Sequence, residues 1–180
     1  METQTVTKWV IDPTHSEVQF KVKHLVISTV TGSFKNFEGT VETEGDDFSN
    51  AKIEFKVDIN SIDTNQPQRD GHLRSADFFD AEKYPHIIFQ STSVTKESDE
   101  DYKLTGNLTI KDVTKTVTFE VEHGGIASDS YGNTKAGFEI EGKINRKEFG
   151  LTWDGVTEAG SIVVGDDIKL QINIQLAKQA

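Results

Sequence analysis

Apolar side chains recur at every second position in one segment of this chain after another. Val18, Phe20 and Val22 alternate with Glu17, Gln19, Lys21 and Lys23, and Ile53, Phe55, Val57 and Ile59 alternate with Lys52, Glu54, Lys56 and Asp58. Successive side chains of a strand point to opposite faces, so this period marks strands with one dry and one wet face. The pattern returns at Leu104, Leu108 and Ile110, at Val117, Phe119 and Val121, at Phe138, Ile140 and Ile144, and along Ile168, Leu170, Ile172, Ile174 and Leu176. No long amphipathic helix is available to cover that much one-faced sheet. The sheet must therefore bury its own dry face, as a sandwich or a closed barrel, and the expected class is all-β.

Strands are expected near 6–11, 16–24, 36–46, 50–59, 86–97, 101–111, 115–124, 134–145 and 166–178. Lys111-Asp112-Val113-Thr114-Lys115 reads as a tight hairpin, and Ser128 to Asn133 as a longer loop between strands. Two stretches break the alternation. Ser61 to Tyr84 contains Pro67 to Arg74, which is most easily a short helix, followed by Ser75-Ala76-Asp77-Phe78-Phe79-Asp80. Asn145 to Gly165 carries Phe149, Leu151 and Trp153 in a glycine-dotted segment. Long aromatic-bearing connections on a β scaffold usually serve as lids or plugs. Gly39, Gly106 and Gly142 fall on the dry side of their strands, in phase with Val41, Leu108 and Ile140. Such glycines either bend the sheet so that it can close or leave room inside for a guest.

With 180 residues the chain is expected to form a single domain spanning 1–180 with a sizeable core. It has no cysteine, which removes disulfides, thiolate chemistry and cysteine-ligated metal. The net charge of −11 comes from 30 acidic against 19 basic side chains, dispersed along the chain. Phosphate neutralisation needs a basic face, so nucleic acid is not an expected partner. Anionic membranes would repel such a chain on average, which favours a soluble carrier over a surface coat. The N-terminus lacks a basic stretch followed by an apolar run, and no segment is long enough to span a bilayer. The expectation is a soluble, cytoplasmic protein without an integral membrane segment, or a periplasmic one if a leader has been removed.

Several motifs occur in a fixed order. Trp9 to Phe20 (Trp-Val-Ile-Asp-Pro-Thr-His-Ser-Glu-Val-Gln-Phe) leads into Lys23-His24-Leu25 and Thr31-Gly32-Ser33-Phe34. Ser61-Ile62-Asp63-Thr64 precedes the block Arg69-Asp70-Gly71-His72-Leu73-Arg74-Ser75-Ala76-Asp77-Phe78-Phe79-Asp80. Tyr84 to Phe89, Gly106 to Ile110 and Asn145 to Gly150 follow. This set closely resembles the YceI-like family of polyisoprenoid-binding proteins over nearly the whole chain. The resemblance implies an extended antiparallel, lipocalin-like β-barrel of about eight strands with one or two short helices. Many family members are secreted to the periplasm. A barrel of that size has an interior just wide enough for side chains or one slim ligand.

The inward strand positions and the aromatic connections make up the candidate ligand wall. Phe20, Val22, His24, Phe34, Phe55 and Val57 come from the first third of the chain, and Leu73, Phe78, Phe79 and Phe89 from the middle. Leu108, Phe119, Phe138, Ile140, Phe149 and Trp153 complete it. Arg69 and Asp70 read as anchors of the short helix, since an acidic residue early in a helix favours its N-terminus and charge-assisted hydrogen bonds are strong. The five histidines have no metal-ligand spacing, and neither a nucleophile elbow nor a phosphate loop occurs. Neither a metal nor a cofactor is expected. Asn107-Leu108-Thr109 matches a glycosylation sequon but lies inside an expected strand.

The expected function is non-enzymatic binding, sequestration or transport of a polyisoprenoid, an isoprenoid quinone or a similar long-tailed amphiphile, with a homodimer as a further possibility. Each isoprene unit buries the equivalent of roughly four methylenes, worth about 3 kcal/mol. Association costs roughly 4–15 kcal/mol, so a tail of more than about five units could bind tightly through its carbon alone. One alternative is an enzyme acting on a lipid-like substrate, with His24, Asp70 and His72 as acid and base. Another is a filled barrel serving as a structural or interaction domain.

Overall fold

The computed structural model describes residues 6–24, 27–45, 47–151 and 164–179, apart from the side chains of His24 and Asn50. The elements in chain order are β1 (Val6–Ile11), β2 (Glu17–His24), β3 (Ser28–Phe34), β4 (Phe37–Glu44), β5 (Asp47–Asp58), β6 (Ile62–Asp63), α1 (Pro67–Arg74), β7 (His86–Lys96), β8 (Asp101–Ile110), β9 (Val113–Ser128), β10 (Thr134–Asn145) and β11 (Val164–Lys178). Strict alternation builds the strands: in β1, Thr7, Trp9 and Ile11 are buried while Val6, Lys8 and Val10 face out. Among the described residues no helix is long and apolar enough to cross a membrane.

All the described strands belong to one antiparallel sheet, and eight of them close into a lipocalin-like barrel. The ring runs β1-β4-β5-β7-β8-β9-β10-β11 and returns to β1. Strand β11 serves two partners in succession. Its C-terminal end pairs with β1 (Ile11↔Leu176) and closes the ring, while its earlier part pairs with β2 (Val18↔Ile172, Phe20↔Leu170). The sheet then continues beyond the ring through β3 and β6. At the changeover Asp12 donates its N–H to the Gln175 carbonyl, and Ser16 Oγ accepts from the Gln175 N–H, so β11 keeps its backbone satisfied across the switch.

Asp12 also staples this corner. Its carboxylate accepts from the Thr14 hydroxyl at 2.7 Å, meets His15 Nδ1 at 2.8 Å and accepts from Lys135 Nζ at 3.1 Å. These bonds, led by those of Thr14 and His15, hold its pKa well below the usual carboxylate range.

The barrel has two unlike ends. The β4–β5, β7–β8 and β9–β10 hairpins gather at one, the hairpin end. The paired ends of β2 and β3 at His24 and Ser28, the β8–β9 turn and the segment carrying α1 gather at the other, the helix end. The expected helix is present over Pro67–Arg74, opened by Gln66, whose side chain accepts from the Arg69 N–H, and by proline in the first turn. The tight hairpin is narrower than expected, because Ile110 pairs directly with Val113 and leaves only Lys111-Asp112 as the turn, with Lys111 at φ 58°.

Two strands, β3 and β6, escaped the alternation. In β3 the inward position opposite Phe20 is Gly32, so the run Ser28 to Ser33 shows only Val30 as an apolar side chain. Strand β6 has two residues, too few to show any period. Strand β9 also runs on to Ser128, because it pairs with β10 as far as Thr134.

Candidate functional site

A cavity of about 370 Å³ runs inside the barrel, bordered by residues of nearly every strand and of α1. That volume lies at the lower end of the usual range for small-molecule sites, roughly 300–1,000 Å³. Most of the expected wall residues meet on it. Phe20, Val22, Phe34, Phe55 and Val57 border the bore from β2 to β5, and Leu73, Phe78, Phe79 and Phe89 from α1 to β7. Leu108, Phe119, Phe138 and Ile140 border it from β8 to β10.

Phe149 does not. It is buried in the core beside the bore, because Arg146–Phe149 forms a 3-10 turn that ends on Gly150 in the left-handed region and turns this ring away from the cavity. Trp153 lies outside the described residues, as does the side chain of His24.

Of the two readings of the inward glycines, a bend or room for a guest, the second is not what these positions provide. A Cβ on Gly142 would run into Phe119 Cδ1, one on Gly106 would fall 2.5 Å from Phe89 Cζ, and one on Gly39 2.6 Å from Ile11 Cδ1 and 2.9 Å from Phe55 Cδ2. Neighbouring side chains therefore fill these places, the rings of Phe119 and Phe89 at Gly142 and Gly106 and Ile11 with Phe55 at Gly39, and no open space is left there.

At the hairpin end the interior is closed by aromatic packing. Phe48 lies 4.8 Å from Phe138, edge to face, and 5.3 Å from Trp9. Beneath them the fully buried Trp9 donates its indole N–H to Thr43 Oγ1 at 3.0 Å. His123 stacks on Phe138 at 4.6 Å, nearly parallel at 11°. Its Nε2 is buried without a hydrogen-bond partner, and desolvation holds its pKa below the ordinary histidine value.

Four of the charged or titratable groups that border the cavity, Lys23, Arg69, His72 and Arg146, stand at the helix end with Thr64, while Thr40 and Glu54 border it from β4 and β5. Arg69 and Asp70 grip Thr64 from two sides. Asp70 Oδ1 accepts from the Thr64 N–H at 2.8 Å and from its hydroxyl, while Arg69 donates to Thr64 Oγ1 at 2.8 Å and to the Thr64 carbonyl at 2.6 Å. These bonds tie α1 to the chain leaving β6. His72 turns to Asp77, 2.9 Å away, with its ring edge-on to Phe78. Asp70 and His72 stand two apart on a helix, a spacing at which side chains do not face each other. Each engages its own local partner.

Arg146 is 2% exposed, and its guanidinium donates to the carbonyls of Leu151, Val164 and Gly165 at 2.7, 3.2 and 2.8 Å. It thereby clasps the residues on either side of the stretch 152–163. Asp166 Oδ1 lies 3.7 Å from the Arg146 guanidinium and 3.3 Å from Lys147 Nζ.

Three important residues were missed from the sequence. Tyr102 is in phase with Leu104 and Leu108, so the alternation could have found it. Phe48 is out of phase with Ile53, Phe55 and Val57, because a register shift between Glu42 and Glu44 interrupts the β4–β5 pairing beside it. Arg146 has no apolar signature at all.

An antiparallel barrel around a bore walled almost wholly by apolar side chains defines the class, and the comparisons give the family. Residues 9–176 match the YceI-like domain, so this chain belongs to the YceI-like family. Protein YceI of Salmonella newport is 46% identical over 140 residues, which cover 78% of this chain and 73% of the relative. The crystal structure of the Campylobacter jejuni YceI protein superposes with a TM-score of 0.74 at 35% identity, with both chains fully covered. A polyisoprenoid-binding domain from Saccharophagus degradans shares the fold at 15% identity, with a TM-score of 0.72 over 95% of this chain and 98% of that one.

Proposed function

We propose that this chain is a non-enzymatic carrier that holds a polyisoprenoid, an isoprenoid quinone or a similar long-tailed amphiphile in its barrel. The observation that carries this reading is the bore itself, which is apolar from Phe48 and Tyr102 at the hairpin end to Phe34 and Phe79 at the helix end. A hydrocarbon tail is the ligand that such a wall desolvates at no polar cost. Charged and hydrogen-bonding groups border the cavity at the helix end, so the polar end of the amphiphile lies there and the tail points toward Phe48. The relative from Saccharophagus degradans, a polyisoprenoid-binding domain on the same fold, sets the ligand class proposed.

Phe79 provides the test. It borders the bore and meets Phe34 edge-on at 6.3 Å. A carboxylate in its place would be desolvated by any bound tail, at a cost of several kcal/mol on the order of what buried unpaired charges incur. In Phe79→Glu, prenol binding followed by native mass spectrometry should be lost while the circular dichroism stays that of the folded barrel. A folded variant that keeps its prenol would show that the tail does not run past this position.

A further inference from the structure

We propose that a girdle of phenylalanine rings, each packed against a glycine, sets the width of the bore, so that Gly32 and Gly142 determine how bulky and how long a ligand can pass its waist. The inference rests on the ligand-binding reading above and names the residues that give it selectivity.

The girdle follows the hydrogen-bond direction around the wall. Gly32 on β3 pairs with Phe20 on β2, Phe20 with Leu170 on β11, and Leu170 with Gly142 on β10. Gly142 in turn carries the ring of Phe119 on β9. On the far side Gly106 on β8 carries the ring of Phe89 on β7, Phe89 pairs with Phe55 on β5, and Phe55 pairs with Gly39 on β4. All four rings border the cavity. Leu170 sits near the middle of β11, so the girdle crosses the bore at its waist.

A ring lying on a glycine covers the exposed backbone and gains dispersion contacts, and it leaves the axis of the barrel free. A side chain on the glycine would remove that seat. The wall behind is a close-packed hydrogen-bonded ladder, so a displaced ring can move only inward, across the path of a ligand.

The four seats are not equivalent. At Gly106 a Cβ would also run into the Gln90 carbonyl oxygen, and at Gly39 it would lie 3.1 Å from that of Glu54, so substitution there strains the sheet. At Gly32 and Gly142 the three nearest atoms all belong to one phenylalanine ring, that of Phe20 and that of Phe119 respectively. Alanine at these two positions therefore narrows the bore without breaking the ladder. A short ligand lodged on the helix side of the waist would not notice the change, whereas one that threads it would.

The test compares geraniol with geranylgeraniol on wild type, Gly142→Ala, and Gly142→Ala combined with Phe119→Leu. One methyl group in an apolar pocket changes affinity about 10- to 200-fold. Geranylgeraniol should weaken by about that factor in Gly142→Ala, geraniol should bind unchanged, and Phe119→Leu should restore the longer prenol. In the ligand-free protein, nuclear Overhauser contacts between the Phe119 ring and residue 142 should be present in wild type and lost in the alanine variant.

A Gly142→Ala protein that binds geranylgeraniol like wild type, or whose loss is not restored by Phe119→Leu, would overturn the girdle. A wild type that binds neither prenol, nor longer polyprenols or isoprenoid quinones, would instead overturn the ligand-binding reading. The girdle would then be judged by the ring contacts alone, and a ring still seated on residue 142 in the alanine variant would sink it.

Discussion

At the hairpin end Trp9, Phe48, Phe138 and His123 pack ring against ring, whereas at the helix end Arg69, Asp70 and Arg146 hold backbone atoms of irregular chain. The difference follows from where the sheet satisfies itself. Near the hairpins the ladders run on almost to the turns, their backbone groups are paired, and apolar packing suffices to close the interior. Near α1 the ring of strands gives way to turns and a short helix whose carbonyls and N–H groups find no ladder. Charged side chains with several donors or acceptors take the place of the missing strand. Arg146, with three carbonyls on one guanidinium, is the extreme case. A carrier gains from this division, since one end stays dry while the other can meet a polar head group.

Two substitutions would break the comparison if it is wrong. Trp9→Ala should cost about 3–5 kcal/mol of stability through the cavity it leaves, measured by urea unfolding, yet leave the rate of prenol release nearly unchanged. Arg146→Met should cost somewhat less, about 2–4 kcal/mol, because it strands buried carbonyls, but it should speed release by loosening the helix end. Equal effects of the two variants on release would show that the ends do not differ in function.

A smaller, pH-dependent effect sharpens the hairpin side. Desolvation lowers the His123 pKa in the folded protein, so the unfolded chain binds the proton more readily. Stability is therefore full above the ordinary histidine value of about 6.5 and declines as the pH falls from there toward the lowered folded value. His123→Phe keeps a ring on Phe138 without the orphan nitrogen. Thermal unfolding of this variant should lose less stability than wild type between pH 7 and pH 5.5, about the span in which an ordinary histidine titrates. Asp12 works in a separate window. Its lowered pKa stabilises the fold above the ordinary carboxylate value, and that contribution is lost only as the pH falls below about 4.

The sequence made the barrel legible wherever inward positions carry side chains. Val18, Phe20 and Val22 announce β2, and Pro67 with its polar neighbours announces α1. It failed where a neighbour's ring does the filling, as at Gly32, because a glycine under a phenylalanine looks like a gap in the alternation. It failed again where a register shift moved Phe48 off the expected parity. The wall of the candidate site could be read because burial and periodicity are the same signal in a strand. The clasp of Arg146 could not, since its role depends on carbonyls that only the fold brings to it.

The most direct test of the central claim is native mass spectrometry of the purified protein, followed by organic extraction and lipid analysis of any adduct. The account predicts a discrete apolar adduct with a long tail, released on unfolding. If none copurifies and stripped protein takes up neither polyprenols nor isoprenoid quinones on titration, the bore is not a ligand site and the carrier reading is contradicted.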